Sequence, residues 1–127
     1  MDLREYFTSK KGVGVLATAD ARGKVDAALY AHPHFIDENT IAFIAGDRVT
    51  HANLQSNSSA VYLFKENDSY EGKRLYLTKI REEKDSPLIG ELRRRKRPEG
   101  EDDGKAESKF LIYFIIDKVL PLVGDGA

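Results

Sequence analysis

The longest unbroken apolar run in this 127-residue chain is Phe110-Leu-Ile-Tyr-Phe-Ile-Ile116. A chain with no longer run must be assembled from short elements, and this run reads as one deeply buried strand. No segment approaches the roughly eighteen apolar residues of a membrane helix. The length allows one domain with a single core.

The remaining segments are equally short. Leu3, Tyr6 and Phe7 lie three to four apart within Asp2 to Lys11, the spacing of a small amphipathic helix that Gly12 ends. Val13 to Ala19 reads as a strand, Asp20-Ala-Arg-Gly23 as a turn with Gly23 free to take positive φ, and Lys24 to Ala31 as the returning strand. Pro33 cannot donate to a ladder, so His32-Pro33-His34 breaks the pattern. Asp37-Glu-Asn39 is a turn and Thr40 to Ala45 a short buried strand. Val49 to Ser56 is only weakly helical but separates two strands, so a crossover helix is expected. Ala60 to Phe64, and Arg74 to Arg81 with both faces partly covered, are further strands. Ser86-Pro87 predicts a helix start, with a capping hydroxyl followed by proline at the first helical position, and the helix is expected to run to about Arg95. Pro121 ends a short extension after the last strand. Five or six strands with three short helices indicate a small antiparallel barrel or rolled sheet.

Charge and composition exclude several classes. Twenty basic and 21 acidic residues balance, which argues against a general binder of nucleic acid or anionic membrane. Cysteine is absent, so disulfides, thiolate metal sites and cysteine nucleophiles are excluded. The opening Met1-Asp-Leu-Arg-Glu-Tyr-Phe7 carries charges where a signal peptide needs an apolar core, and a cytoplasmic protein is expected. Arg93-Arg-Arg-Lys-Arg97 is offset by the acidic tract that follows it, which suits a cation-rich helix end running into a mobile loop over residues 98–107.

Chemistry concentrates in Gly46-Asp-Arg-Val-Thr-His-Ala-Asn-Leu-Gln-Ser-Asn57. Gly46 and Asp47 close an apolar run, and Arg48 and Thr50 follow where a helix begins, so backbone N–H groups, a guanidinium and a hydroxyl converge on one spot suited to a phosphate. Two simpler readings stand beside it: Asp47 as an N-cap and Arg48 as a solvated first-turn residue. His32 and His34 would face the same way on an extended segment, as two metal ligands could, but no third ligand has a recognisable spacing. Ser56, Ser58 and Ser59 lie near His51 in sequence without a nucleophile elbow. No catalytic residue and no metal ligand is assigned.

The order of strands and turns up to about Arg81, with the segment around Thr50-His-Ala-Asn-Leu54, resembles the FMN-binding proteins of the pyridoxamine 5′-phosphate oxidase-like superfamily. The resemblance implies a mainly β fold with short α-helices, a six- to seven-stranded antiparallel split β-barrel. It also implies a homodimer with FMN at the subunit interface. Arg48, Val49 and Thr50 would match the phosphate turn, with Asn53 stabilising it or reaching the ribityl chain. Ala31, His32 and Pro33 would match the segment beside the flavin ring, and Thr18 and Ala45 would close the pocket. Val49-Thr50 stands where the full oxidases carry Arg-Lys, and the chain has no tryptophan. Oxidation of the vitamin phosphate is therefore not expected. An FMN-dependent oxidoreductase is the first reading. A flavin carrier or electron-transfer module, and a haem-binding split barrel, are the alternatives. His32, His34 or Tyr76 near the flavin would favour an enzyme.

Overall fold

A computed structural model describes residues 2–94 and 108–125. Its elements in chain order are α1 (Leu3–Ser9), β1 (Gly12–Ala19), β2 (Val25–Tyr30), β3 (His34–Phe35), β4 (Thr40–Gly46), α2 (Val49–Ser56), β5 (Ser59–Glu66), β6 (Gly72–Lys84), α3 (Pro87–Arg94) and β7 (Lys109–Pro121). The seven strands form one antiparallel sheet in the order β2-β1-β5-β6-β7-β4-β3.

Local chemistry explains several boundaries. The Asp2 carboxylate accepts from the Glu5 N–H at 2.8 Å and caps α1. In the β1–β2 turn the Asp20 carboxylate accepts from the Arg22 and Lys24 N–H groups, and Gly23 takes φ 84°. The Ser86 hydroxyl accepts from the Leu88 N–H at 3.2 Å, with Pro87 the first residue of α3.

The sheet closes on itself. β2 and β3 lie at opposite ends of the strand order, yet only residues 31–33 separate them in sequence. Four residue steps reach at most roughly 14 Å, so the two edges must meet. Ring contacts span the seam: Tyr30 of β2 lies 5.8 Å from Phe43 of β4, which lies 4.9 Å from Tyr62 of β5. The result is a mainly β split barrel with three short helices.

Two apolar clusters follow from this closure. Leu16, Tyr62, Phe64, Leu75, Phe43 and Phe114 fill the interior, and α1 lays Tyr6 and Phe7 against them. Burying a phenylalanine of this kind stabilises by about 2–3 kcal/mol. On the outer surface, Ile89 and Leu92 of α3 cover Ala42, Leu111 and Tyr113. β7 is therefore apolar on both faces, and this is why Phe110 to Ile116 runs without alternation.

The sequence reading needs three adjustments. β6 and β7 are each 13 residues long and extend beyond Arg74–Arg81 and Phe110–Ile116. Their mutual pairing, with register shifts at Tyr76/Leu77 and Lys79/Arg81, carries polar ends that have no apolar signature of their own. The two-residue β3 was not expected, being formed by pairing with β4 after Pro33. The N-cap of α2 is Arg48 rather than Asp47. Residues 95–107, including most of the basic tract and the expected mobile loop, lie outside the described residues.

Candidate functional site

β4 ends at Gly46, and Asp47 and Arg48 are exposed before α2 begins. The Arg48 side chain makes no capping bond to α2, so the first-turn N–H groups are not answered from their own N-cap. An uncapped helix start with a guanidinium beside it is an anion-binding arrangement.

Polar contacts hold α2 in place. Its buried residues are Thr50, His51, Asn53 and Leu54, only one of them apolar. The Asn53 amide donates to the Thr18 hydroxyl of β1 at 3.0 Å, both groups being buried. His51 stacks on Phe110 with centroids 3.6 Å apart, places Nε2 2.9 Å from the Glu82 carboxylate and Nδ1 3.4 Å from Asp47. Glu82 also accepts from Gln55 at 2.9 Å and from Lys79 at 2.7 Å, and Lys79 donates to the Leu54 carbonyl. Burial alone would raise the Glu82 carboxyl, but its bonds to Lys79, His51 and Gln55 prevail and hold it at about 2. The carboxylate is therefore a fixed anchor for the helix.

Thr50 joins this corner to a second group of residues. Its side chain is hydrogen-bonded to the Tyr30 phenol, which burial pushes above the usual tyrosine range. Tyr30, Ala31, His32 and His34 line a cleft of about 170 Å³ at the barrel seam, together with Phe43 and Arg93. The Tyr62 phenol donates to the Ala31 carbonyl at 2.9 Å and fixes that segment. A larger open groove of about 670 Å³ lies where Ala17, Ala19, Val25, Val61 and Tyr76 meet, and includes Thr18.

The residues singled out in sequence therefore fall into two linked groups. Arg48, Val49 and Thr50 open α2, and Asn53 with Thr18 fastens it to β1. Ala31 and His32 border the seam cleft, with Pro33 buried behind them. Ala45 is 2 % exposed and faces the core opposite Phe110. Tyr76 borders the outer groove and lies apart from His32 and His34, which line the seam. Tyr30, Lys79 and Glu82 were missed. Tyr30 had one usable signal, the alternation that turns it inward on β2, whereas Glu82 lies past the expected strand end. Among the described residues no group of three potential metal ligands forms, and no helix is long and apolar enough to cross a membrane.

No family model and no curated protein sequence matches the chain. Its structure is similar to an FMN-binding protein from Syntrophomonas wolfei, with 21 % identity, TM-score 0.77, and coverage of 95 % of this chain and 84 % of that one. A Listeria innocua protein provisionally named pyridoxamine 5′-phosphate oxidase gives 18 % identity and TM-score 0.67, covering 94 % of each chain. HutZ, the haem storage protein from Vibrio cholerae, gives 17 % identity and TM-score 0.68, again covering 94 % of each. The chain therefore has the fold of the pyridoxamine 5′-phosphate oxidase-like split barrels.

Proposed function

We propose that this protein is a flavoprotein that holds FMN by its phosphate at the start of α2 and acts as an oxidoreductase. The observation that carries the reading is the uncapped first turn of α2, flanked by Arg48 and Thr50, in a fold shared with an FMN-binding protein. The donor set fits a phosphate: first-turn backbone N–H groups and a forked guanidinium, with the Thr50 hydroxyl buried behind them against Tyr30. Asp47 is the one adverse charge, and its contact with His51 offsets part of it. When bound, FMN supplies hydride and electron transfer. The chain's part is to fix the phosphate end through Arg48 and the first-turn N–H groups, hold α2 rigid through Thr50, Asn53 and His51, and orient the ring along Ala31, His32 and Pro33. Thr18 supports the site from beneath through Asn53, and Ala45 faces the core.

The seam cleft by itself is too small for the ring, because cofactor pockets usually measure about 300–1,000 Å³ and this cleft only about 170 Å³. We infer a homodimer that completes the site. Its support is the uncovered outer face of the barrel, where register aligns Leu29, Val15 and Leu63 in one row and Ala27, Ala17 and Val61 in the next. Val25 and Leu29 there are 78 % and 73 % exposed. A contiguous apolar sheet face of this kind is what a partner subunit covers. A cytoplasmic setting suits a chain without cysteine.

Absorption of the purified protein tests the reading: bands near about 370 and 450 nm are expected for bound flavin. Colourless protein that ignores added FMN removes it. Haem is the second reading, favoured by the two histidines at the seam cleft and the likeness to HutZ. A Soret band in place of the flavin bands selects it.

A further inference from the structure

Both ring nitrogens of His51, in the first turn of α2, face a carboxylate. Nε2 lies 2.9 Å from Glu82 of β6, and Nδ1 lies 3.4 Å from Asp47 in the turn after β4. Phe110 of β7 stacks on the imidazole and fixes its plane. A carboxylate only accepts hydrogen bonds, and an imidazolium has an N–H for each of the two. The neutral ring has one N–H and sets a lone pair against the other carboxylate. The distances decide which partner is kept. Glu82 is nearer, 23 % exposed, and tied to Lys79 and Gln55 as well, whereas Asp47 is 75 % exposed and farther away. The further charges close to Asp47 are Arg48, next in the chain, and Lys109, across the ladder from Gly46. Arginine and lysine stay cationic over the pH range in which a histidine changes charge, and Glu82 stays anionic. Loss of the His51 proton therefore leaves one excess negative charge beside the helix start, and it falls on Asp47.

We propose that His51 is a proton-operated latch on the phosphate site. Charged, it holds Asp47 to one side of the first turn of α2. Neutral, it keeps Glu82 and releases Asp47, whose carboxylate then repels a phosphate and competes with it for the first-turn N–H groups. FMN is accordingly held more tightly below the pH at which His51 loses its proton than above it. By linkage, bound phosphate favours the protonated ring to the same degree. As a regulation of FMN binding, the latch rests on the flavoprotein reading. The exchange between His51 and Asp47 does not.

The test is fluorescence titration of the full chain with FMN at steps from about pH 6 to pH 8.5, in the wild type and in Asp47→Ala. Dividing one affinity by the other at each pH removes the ionisation of the phosphate itself. The advantage of Asp47→Ala should grow about fivefold across the range, the worth of a carboxylate at a helix N-cap. Riboflavin, which lacks the phosphate, should show no such growth. In a His51→Gln background, where no proton is exchanged, the same ratio should stay flat. A constant ratio in the wild-type background, or equal growth with riboflavin, overturns the latch and leaves the flavin reading standing. Should His51→Gln fail to fold, the ratio for Asp47→Ala, at an exposed position, decides alone. Should neither protein take FMN at any pH, the flavin reading falls and the ligand-free chain decides on the latch. The imidazole resonance of His51, followed by NMR, should then titrate at lower pH in Asp47→Ala than in the wild type, and equal midpoints overturn the exchange.

Discussion

His51 of α2 and Glu82 of β6 meet at 2.9 Å across 31 residues of sequence, and the same carboxylate holds Gln55 and Lys79. A helix with one buried apolar side chain has little hydrophobic anchoring. Its position is set by this contact and by the Asn53–Thr18 bond.

The Glu82 anchor gives stability a pH dependence of defined sign. The folded carboxyl lies at about 2 against an ordinary value of 4.5, so its contribution is present above about pH 4.5 and is lost as pH falls toward 2. With the side chain 23 % exposed, this contribution is about 1–3 kcal/mol. Urea unfolding of the wild type should weaken over that window more than unfolding of Glu82→Gln. Parallel pH profiles for the two proteins would disprove the anchor.

The Asn53–Thr18 bond is buried, so removing one partner should cost more than removing both. Asn53→Ala should lose about 1–3 kcal/mol, because it leaves the Thr18 hydroxyl without its donor and opens a small void. Thr18→Val combined with Asn53→Leu should recover part of this loss. Denaturant midpoints of the two singles and the double complete the cycle, and strict additivity would show that the groups act independently.

Gly14 is required by packing. A Cβ on it would occupy the place of the Tyr62 phenol, which holds the Ala31 and Tyr30 carbonyls at the seam. Gly14→Ala should cost more than about 2 kcal/mol through overpacking. Gly23→Ala meets open space and should cost only about 1 kcal/mol from its positive φ. Calorimetric melting ranks the pair, and an equal loss would contradict the seam contact.

Phosphate binding at the start of α2 predicts a cofactor effect without a fold effect for exposed Arg48, and a cofactor effect beside some loss of stability for Thr50, which is buried against Tyr30. Arg48→Ala and Thr50→Ala together should weaken FMN by roughly 2–5 kcal/mol, the range for charge-assisted bonds to phosphate. The comparison is a fluorescence titration with FMN against one with riboflavin, which lacks the phosphate. Unchanged FMN affinity in the double variant would move the phosphate elsewhere.

The inferred dimer should break at its apolar rows. Leu29 is 73 % exposed in the single chain, so Leu29→Lys removes no intrachain packing and places a charge in the proposed interface. Sedimentation should show a shift from dimer to folded monomer with reduced flavin content. A variant that remains dimeric would place the interface on another face.

Much of the architecture was legible because its signals are local. Val13 to Ala19 is a mostly apolar run bounded by Gly12 and a turn, Asp20 to Gly23 carries its own turn chemistry, and Ser86-Pro87 announces α3. The start of α2 was legible too, as Arg48 and Thr50 after an apolar strand. β3 was not, because two residues beside a proline have no period. Nor were the partners of α2: Thr50 and Asn53 read as phosphate-turn residues and His51 as a histidine without a site, and nothing near them in sequence points to Tyr30, Thr18 or Glu82.

The sequence by itself determined that the chain is built of short strands and turns and where the helix start after β4 would fall. Those features follow from hydrogen-bonding groups and side-chain periods within a few residues of each other. Only the tertiary structure decided that Thr50 meets Tyr30, that His51 meets Glu82, and that His32, His34 and Arg93 share one cleft. Such pairings depend on strand register and on the closure of the β2 and β3 edges. They are set by the packing of the whole core around Phe43, Tyr62 and Phe114, to which no local stretch holds the key.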